Sequence, residues 1–326
     1  MSENESQFRE TLAQIAELAS AAVNSGEQSD YEHEDDQESE EAPQGGKVGC
    51  TLKSVPKRLV VKAAETAMRI NPVNAPVFGP VATVAAGLVL NPQRIAVLTG
   101  KYWGPTPRRL TVSFIDSTPA NLRNRIISHL NAWTRTGCIE FVYTQETGQV
   151  RISRGPGGYY SYLGTDILLI PRNRQTMNLE RFTMNTPESE FERVIRHEAG
   201  HTLGFPHEHM RRALVERIDR EKAYAYFRRT QGWDRATVDD QVLTPLDERS
   251  IMATPADQDS IMCYQLPAEI TRDGRPIRGG RDINQTDYDF CGRIYPKPGR
   301  EQITEQEEAW REDDWQESQD PEVAAV

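Results

Sequence analysis

Residues 197 to 209 read His-Glu-Ala-Gly-His-Thr-Leu-Gly-Phe-Pro-His-Glu-His and hold four of the chain's six histidines. The spacing is H-E-x-x-H-x-x-G-x-x-H. On a helix, His197 and His201 stand one turn apart on one face, so both imidazoles can reach a single ion. Glu198 lies beside them, placed to take a proton from a water at the metal rather than to bind the metal. Gly204 permits the backbone turn that ends the helix, and the chain can double back to bring in His207 as a third ligand. Three neutral imidazoles leave a fourth position for water, the open coordination of a hydrolytic zinc. A structural zinc usually closes with a fourth protein ligand, often Cys, and none lies within this motif. The glycine and third histidine at fixed offsets separate the run from a chance H-E-x-x-H pair. His209 falls outside the ligand spacing and reads as a supporting or surface histidine. The run predicts one catalytic Zn2+ on His197, His201 and His207, with Glu198 as base, in a peptidase.

Downstream, Ser260-Ile261-Met262-Cys263-Tyr264 has the form of a Met-turn, which passes a thioether beneath a three-histidine site as a soft packing surface. At this point the chain resembles the astacin family of metzincin zinc endopeptidases, in particular its bacterial-type members. The zinc motif continues through Gly204-Phe205 to His207-Glu208 in the family's extended form. The likeness reaches upstream to Tyr102-Trp103, Leu110 to Phe114, Trp133, Cys138 to Val142 and Gly157 to Gly164, and downstream to Asn284 to Tyr295. It spans about residues 95 to 297. The resemblance implies that Tyr264 is a displaceable metal ligand that then stabilises the oxyanion, and that Glu208 anchors a mature N-terminus through a buried ion pair. It places Met262 as support beneath the histidines. It also implies processing near Arg94-Ile95, with protein or peptide substrates.

The chain departs from the family in several places. Cys263 stands where the family commonly has His, and the cysteines that usually pair around the Tyr-Ser-Tyr loop are missing. Cys138 matches a family half-cystine, but Cys291 falls inside the last helix. No Phe-x-Gly-Asp segment precedes the domain, so the family's aspartate plug is not evident. Cys50, in Val-Gly-Cys-Thr, is either an inert thiol or a zinc ligand of a latent form through its thiolate.

The elements that must position these groups follow from periodicity. Val55 to Ile70 reads as an amphipathic helix, and Pro72 to Pro92 as a connector punctuated by Pro and Gly. Thr111 to Ile115, Ile139 to Thr144, Val150 to Ser153 and Asp166 to Pro171 read as strands. Pro119 to Thr136 carries Ile126, Ile127, Leu130 and Trp133 on a helical stripe, with Ser117 or Thr118 available as cap. The active-site helix begins near Pro187, buries Phe191, Val194 and Ile195, and ends at Gly204. Residues 218–231 and 284–295 read as further helices. Tyr159, Tyr160 and Tyr162 either line the cleft or pack at a strand edge. Arg272, Arg275 and Arg278 form a basic loop past the Met-turn, which reads as a solvated surface; the resemblance to the family implies instead a site favouring acidic side chains just after the scissile bond. The fold expected is α+β, a zincin-like two-lobed domain with a twisted sheet, an active-site helix and disordered acidic termini.

Charge divides the 326 residues. Residues 1–46 carry 13 acidic and one basic side chain, and residues 301–326 carry ten and one. Of the net −11, the stretch between is therefore at about +10. The run from Glu27 to Glu41 is too charged and too poor in apolar residues to fold, and the last 26 residues are nearly as polar; a tail that screens the basic body is the sharper alternative. Residues 6–23 have the spacing of a short amphipathic helix whose polar face lacks the Lys and Arg of a membrane-surface helix. The expected organisation is an acidic tail over 1–46, a propeptide or extension over 47–94, the peptidase domain over 95–297 and a second acidic tail over 298–326. No secretory signal or transmembrane segment is read at the sequence level, which predicts a cytoplasmic protein or export without a cleaved signal. No nucleic-acid motif accompanies the basic body, so no nucleic-acid partner is expected. Nothing fixes the oligomeric state. The rival reading is a latent or inactive metal-stabilised protein that holds peptide without cutting it. The retained Glu198 argues against it, because a binder has no need of that base.

Overall fold

Arg108-Arg109-Leu110-Thr111-Val112-Ser113-Phe114 places Leu110 and Val112 on one face, and that alternation makes the central strand of a sheet. In the computed structural model, which describes residues 50–75, 100–246 and 255–298, six strands form one mixed sheet. They are β1 (Thr51–Lys53), β2 (Arg108–Phe114), β3 (Ile139–Tyr143), β4 (Val150–Ser153), β5 (Tyr159–Tyr162) and β6 (Met177–Leu179), in the order β1-β5-β6-β4-β2-β3. All neighbours run parallel except β5 against β6. The helix expected over 6–23, the acidic tail over 1–46, the C-terminal tail beyond residue 298, the connector beyond residue 75 and the Arg94-Ile95 boundary lie outside the described residues.

The parallel pair β2–β3 needs a crossover, and α2 (Ala120–Leu130) supplies it, burying Leu122, Ile126 and Leu130 against the sheet. A long helix lies beneath. It starts as α3 (Glu188–Glu190) with Pro187 at the N-cap, widens into a π stretch (Phe191–Ile195), and ends as α4 (Arg196–Thr202). Phe191, Val194, Ile195 and Ala199 join the sheet residues in the larger core. Gly204, at φ 94°, then turns the chain away. A Cβ there would stand 2.9 Å from the Lys101 carbonyl oxygen, so the turn requires glycine twice over.

A second, smaller core gathers Leu214, Phe227, Val238, Val242, Ile270 and Ile277. It is built on α5 (Arg212–Val215), α6 (Arg220–Gln231), α7 (Arg235–Val238) and a π stretch (Asp239–Leu243). The closing helix α8 (Gln285–Ile294) returns to the first core behind a capping box of Asn284 and Asp287. Residues 260–264 cross the seam, with Met262 packing in the first core and Cys263 and Tyr264 in the second.

The N-terminal residues 50–75 form a strap over this body. α1 (Val60–Ile70) buries Val60, Ala63, Ala64, Ala67 and Met68, and with Val55 it packs on Ile170. Asn74 fastens the far end. Its Nδ2 donates to the carbonyls of Ala67 (2.9 Å) and Tyr102 (2.8 Å), and its Oδ1 accepts from the Tyr102 N–H (2.9 Å).

Several elements differ from those expected. Residues 166–171 are not a strand: Gly164–Leu169 is a 3-10 helix, tightened by the bond from the Asp166 N–H to Leu163 O. Its Asp166 is drawn inward by Lys101, 3.1 Å away and also buried. The helix expected to Thr136 stops at Leu130 and continues as 3-10 from Asn131 to Arg135. Neither Ser117 nor Thr118 caps α2. Pro119 holds that position, and Thr118 donates to Asp116 instead. The glycine-flanked tyrosines, a loop by the family resemblance, form β5, in keeping with the strand-edge alternative, and β6 is a three-residue strand too short for alternation to reveal.

Candidate active site

α4 sets the three histidines through its register. His197 and His201 lie on one face of it, ring centroids 4.6 Å apart, and the turn at Gly204 returns His207 to within 4.5 Å of the His201 ring. All three are buried. His197 Nδ1 lies 2.6 Å from Ile261 O, and His201 Nδ1 lies 2.8 Å from Phe205 O. Two main-chain carbonyls therefore fix the orientation of those rings from behind and leave Nε2 facing inward. His197 Nε2 has no partner, while His201 Nε2 and His207 Nε2 lie 3.0 Å apart. Burial keeps these imidazoles neutral, lowering His197 to about 4 and pushing His201 and His207 well below the ordinary histidine range. Neutral, converging nitrogens, with that of His197 left unpartnered, are what a divalent zinc would resolve, and the residues present fit it.

Cys50 completes the cluster. Its Sγ and one nitrogen from each of the three histidines all lie within 4.8 Å of one another. The Cys50 thiol also donates to Glu198 Oε2 at 3.3 Å. Burial and then the Glu198 charge hold that thiol well above its ordinary value. Burial likewise raises the Glu198 carboxyl to about 8. Both directions belong to a site without a cation; a bound divalent ion would favour thiolate and carboxylate.

Met262 packs under α4. A Cβ added at Gly200 would collide with its Sδ, so the turn lies as close to the helix as glycine allows. The turn is gripped by Asp287, a residue that the metal-site motifs do not single out. Asp287 accepts from Ser260 Oγ (2.5 Å), from the Ile261 N–H (3.0 Å) and from the Asn284 N–H (3.0 Å). The Asn-x-x-Asp spacing of a capping box is the available signal. Tyr264 is buried, its hydroxyl has no partner, and its ring stacks on His209 at 4.2 Å. His209 is not at the surface: it is fully buried, with Nε2 2.9 Å from Gln241 O.

Glu208 sits beside the turn rather than on the histidines. Its N–H donates to Met262 O at 2.8 Å, and its Oε1 accepts from the Asp257 N–H at 3.0 Å. Any chain end it would anchor falls outside the described residues. The cleft next to Cys50, about 540 Å³, is lined by Tyr159, Arg193, His197, Tyr264 and Arg278 among others. Tyr159 thus lines the cleft while standing on β5. Arg278 reaches the cleft but pairs with Asp259, and Arg193 pairs with Glu190 at 2.7 Å. Cys50, Cys138, Cys263 and Cys291 are all free thiols.

Residues 99–274, more than half of the chain, match the family model described as Astacin, a peptidase family. The chain belongs to the astacin family. Its α+β architecture is that of the family's metzincin-type metallopeptidases, and such a peptidase acts on proteins or peptides. Among solved structures, one of myroilysin matches with a TM-score of 0.57 at 28% identity, covering 61% of this chain and 97% of that one. A crystal structure of myroilysin gives 0.48 at 28% identity over 76% of this chain and 100% of that one. High choriolytic enzyme 1, a hatching enzyme zinc-protease from Oryzias latipes (Medaka fish), gives 0.40 at 23% identity, covering 58% and 90%. No curated protein matches. No helix among the described residues is long and apolar enough to cross a membrane.

Proposed function

We propose that this protein is a zinc endopeptidase held latent by its own strap. The reading rests above all on one observation, the inward convergence of His197, His201, His207 and Cys50 beside a buried Glu198. His197, His201 and His207 would hold the ion. When bound, zinc supplies Lewis acidity at the scissile carbonyl and lowers the pKa of water towards ~7. Glu198 takes the proton of the attacking water and passes it to the leaving amine. The Tyr264 hydroxyl donates to the tetrahedral oxyanion, and the stacked His209 limits where that ring can swing. Cys50 occupies the position an attacking water needs, and its hydrogen bond also engages the base. Loss of the strap, by cutting or displacement, exposes both.

The rival, a protein that binds peptide without cutting it, would keep the cleft but gains nothing from a buried carboxylate beside the histidines. Cleavage of a quenched fluorescent peptide library separates the two. The full-length chain with zinc should be nearly silent, and a chain trimmed within residues 76–99 should cut. Glu198→Ala in the trimmed chain should lower the rate by about 10²–10⁴-fold without loss of folding. A trimmed, folded, zinc-loaded chain that cuts nothing would sink the peptidase reading.

A further inference from the structure

Gln241 touches neither the metal ligands' ring nitrogens nor Glu198, yet it is buried and commits its side chain to the strap. Its Oε1 accepts from the Leu52 N–H at 3.1 Å, and its Nε2 donates to the Leu52 carbonyl at 3.3 Å. In an extended chain the N–H and C=O of one residue point to the same edge, and those of its neighbours to the other. β1 runs parallel to β5 in the register Thr51↔Tyr160, Leu52↔Ser161 and Lys53↔Tyr162. The cleft therefore grips a single extended strand from both sides. β5 takes one edge as a sheet neighbour, and one side-chain amide takes the other.

The amide is not free to turn over. Nε2 also donates to Asp240 Oδ2 at 2.8 Å. A carboxylate only accepts, so turning the amide would set its oxygen against that charge. The main chain of Gln241 is tied as well, through its carbonyl to His209, the ring stacked on Tyr264. An amide with its donor and acceptor ends assigned distinguishes the two directions of a strand. Reversing the strand exchanges the positions of N–H and C=O, which brings donor against donor and acceptor against acceptor.

We infer that Gln241, oriented by Asp240, is a direction-reading main-chain clamp for an extended peptide that runs parallel to β5. Its ligand class is a short extended peptide with a thiol two residues before the held residue, as in Cys50-Thr51-Leu52. This deepens the latent reading, because it rests on residues 50–53 being an occupant of the cleft. The clamp selects the direction of the strap and gives no such hold to a strand running the other way.

The probe is a fluorescently labelled octapeptide of residues 48–55, and beside it the same residues in reversed order, which present the same side chains when the strand runs antiparallel. Anisotropy gives the affinity of each for the full-length chain carrying Cys50→Ser and Glu198→Ala. The chain's own strap competes equally with both peptides, so their ratio within one variant is unaffected by it. The forward peptide should bind about 10-fold more tightly, the size expected when two main-chain hydrogen bonds are lost on reversal. Adding Gln241→Ala should bring the ratio close to one, and Asp240→Asn, which lets the amide turn, should shrink it. A ratio near one in the unaltered clamp, a ratio that survives Gln241→Ala, or no binding of either peptide overturns the clamp. Cleavage enters none of these readouts. A peptidase reading that fails while the ratio collapses as expected would therefore leave the clamp standing.

Discussion

The imidazoles of His197 and His201 are fixed from behind, by Ile261 O and Phe205 O, on a helix whose other faces are buried in the main core. The Cys50 thiol stands immediately before a three-residue strand held by one sheet edge, one glutamine side chain and a hydrophobic helix further along. The first arrangement is part of the body's packing, and opening it means unfolding. The second is a short element laid on the body, and under the latent reading it should open while the body stays folded. A latent enzyme needs that difference in cooperativity between the groups that do chemistry and the segment that covers them.

The largest test of the contrast lies at Asp287. Replacing it with Ala strips the acceptor from Ser260 Oγ and from the N–H groups of Ile261 and Asn284 in a buried setting. The expected cost is about 3–5 kcal/mol, because several donors are left unpaired at once. Thermal or denaturant unfolding of the full chain should show it as a global loss, with the histidine site and the sheet melting together. A loss confined to residues 260–264, with the main transition unmoved, would break the claim that the turn belongs to the body.

What is legible in the sequence divides along the same line. The helix, the glycine turn, the third histidine and the Met-turn are local in sequence. Each depends on spacings of a few residues, and 3.6-residue periodicity turns those spacings directly into shared faces. The strap is the opposite case. Its helix can be read from the apolar positions of Val60, Ala63, Ala64, Ala67 and Met68, but its partners are set by contacts across long separations. Cys50 and Glu198 are 148 residues apart, and Leu52 and Gln241 are 189 apart. No pattern in a single sequence carries such pairings, so Cys50 stays an open alternative at that level and Gln241 gives no signal. The surface reading of His209 fails for a related reason. Its burial comes from Tyr264 and Gln241, each more than thirty positions downstream. Residues 166–171 read as a strand because Ile167, Leu168, Leu169 and Ile170 form an apolar run, and short apolar runs do not announce their period.

A smaller effect sharpens the contrast from the strap's side. Asn74→Ala removes two donated bonds and one accepted bond that join the end of the strap to Ala67 and Tyr102. The loss should be about 2 kcal/mol, and it should fall on the strap rather than on the body. Amide exchange in α1 should accelerate by about 30-fold, the factor that corresponds to 2 kcal/mol. Exchange in β2 and α4 should hardly change. Equal acceleration in all three would mean that the strap and body open as one unit, which would remove the physical basis for latency by a detachable cover.

The smallest effect concerns the point where the two regions meet. In the metal-free chain the Cys50 thiol contributes one weak donated bond to Glu198, so Cys50→Ser should leave thermal stability nearly unchanged. With zinc present the same substitution removes a soft donor from the cluster of Cys50, His197, His201 and His207. Zinc affinity of the full-length chain, measured by competition with a chelator, should then fall by about 10-fold or more, since loss of even an outer partner of a metal ligand costs that much. A chain trimmed of the strap should bind zinc about as weakly as the full-length Cys50→Ser chain, because both lack the thiol and keep the three histidines. An unchanged zinc affinity in full-length Cys50→Ser would show that the thiol lies beside the metal position without serving it. The strap would then cover the cleft only through β1, Gln241 and α1.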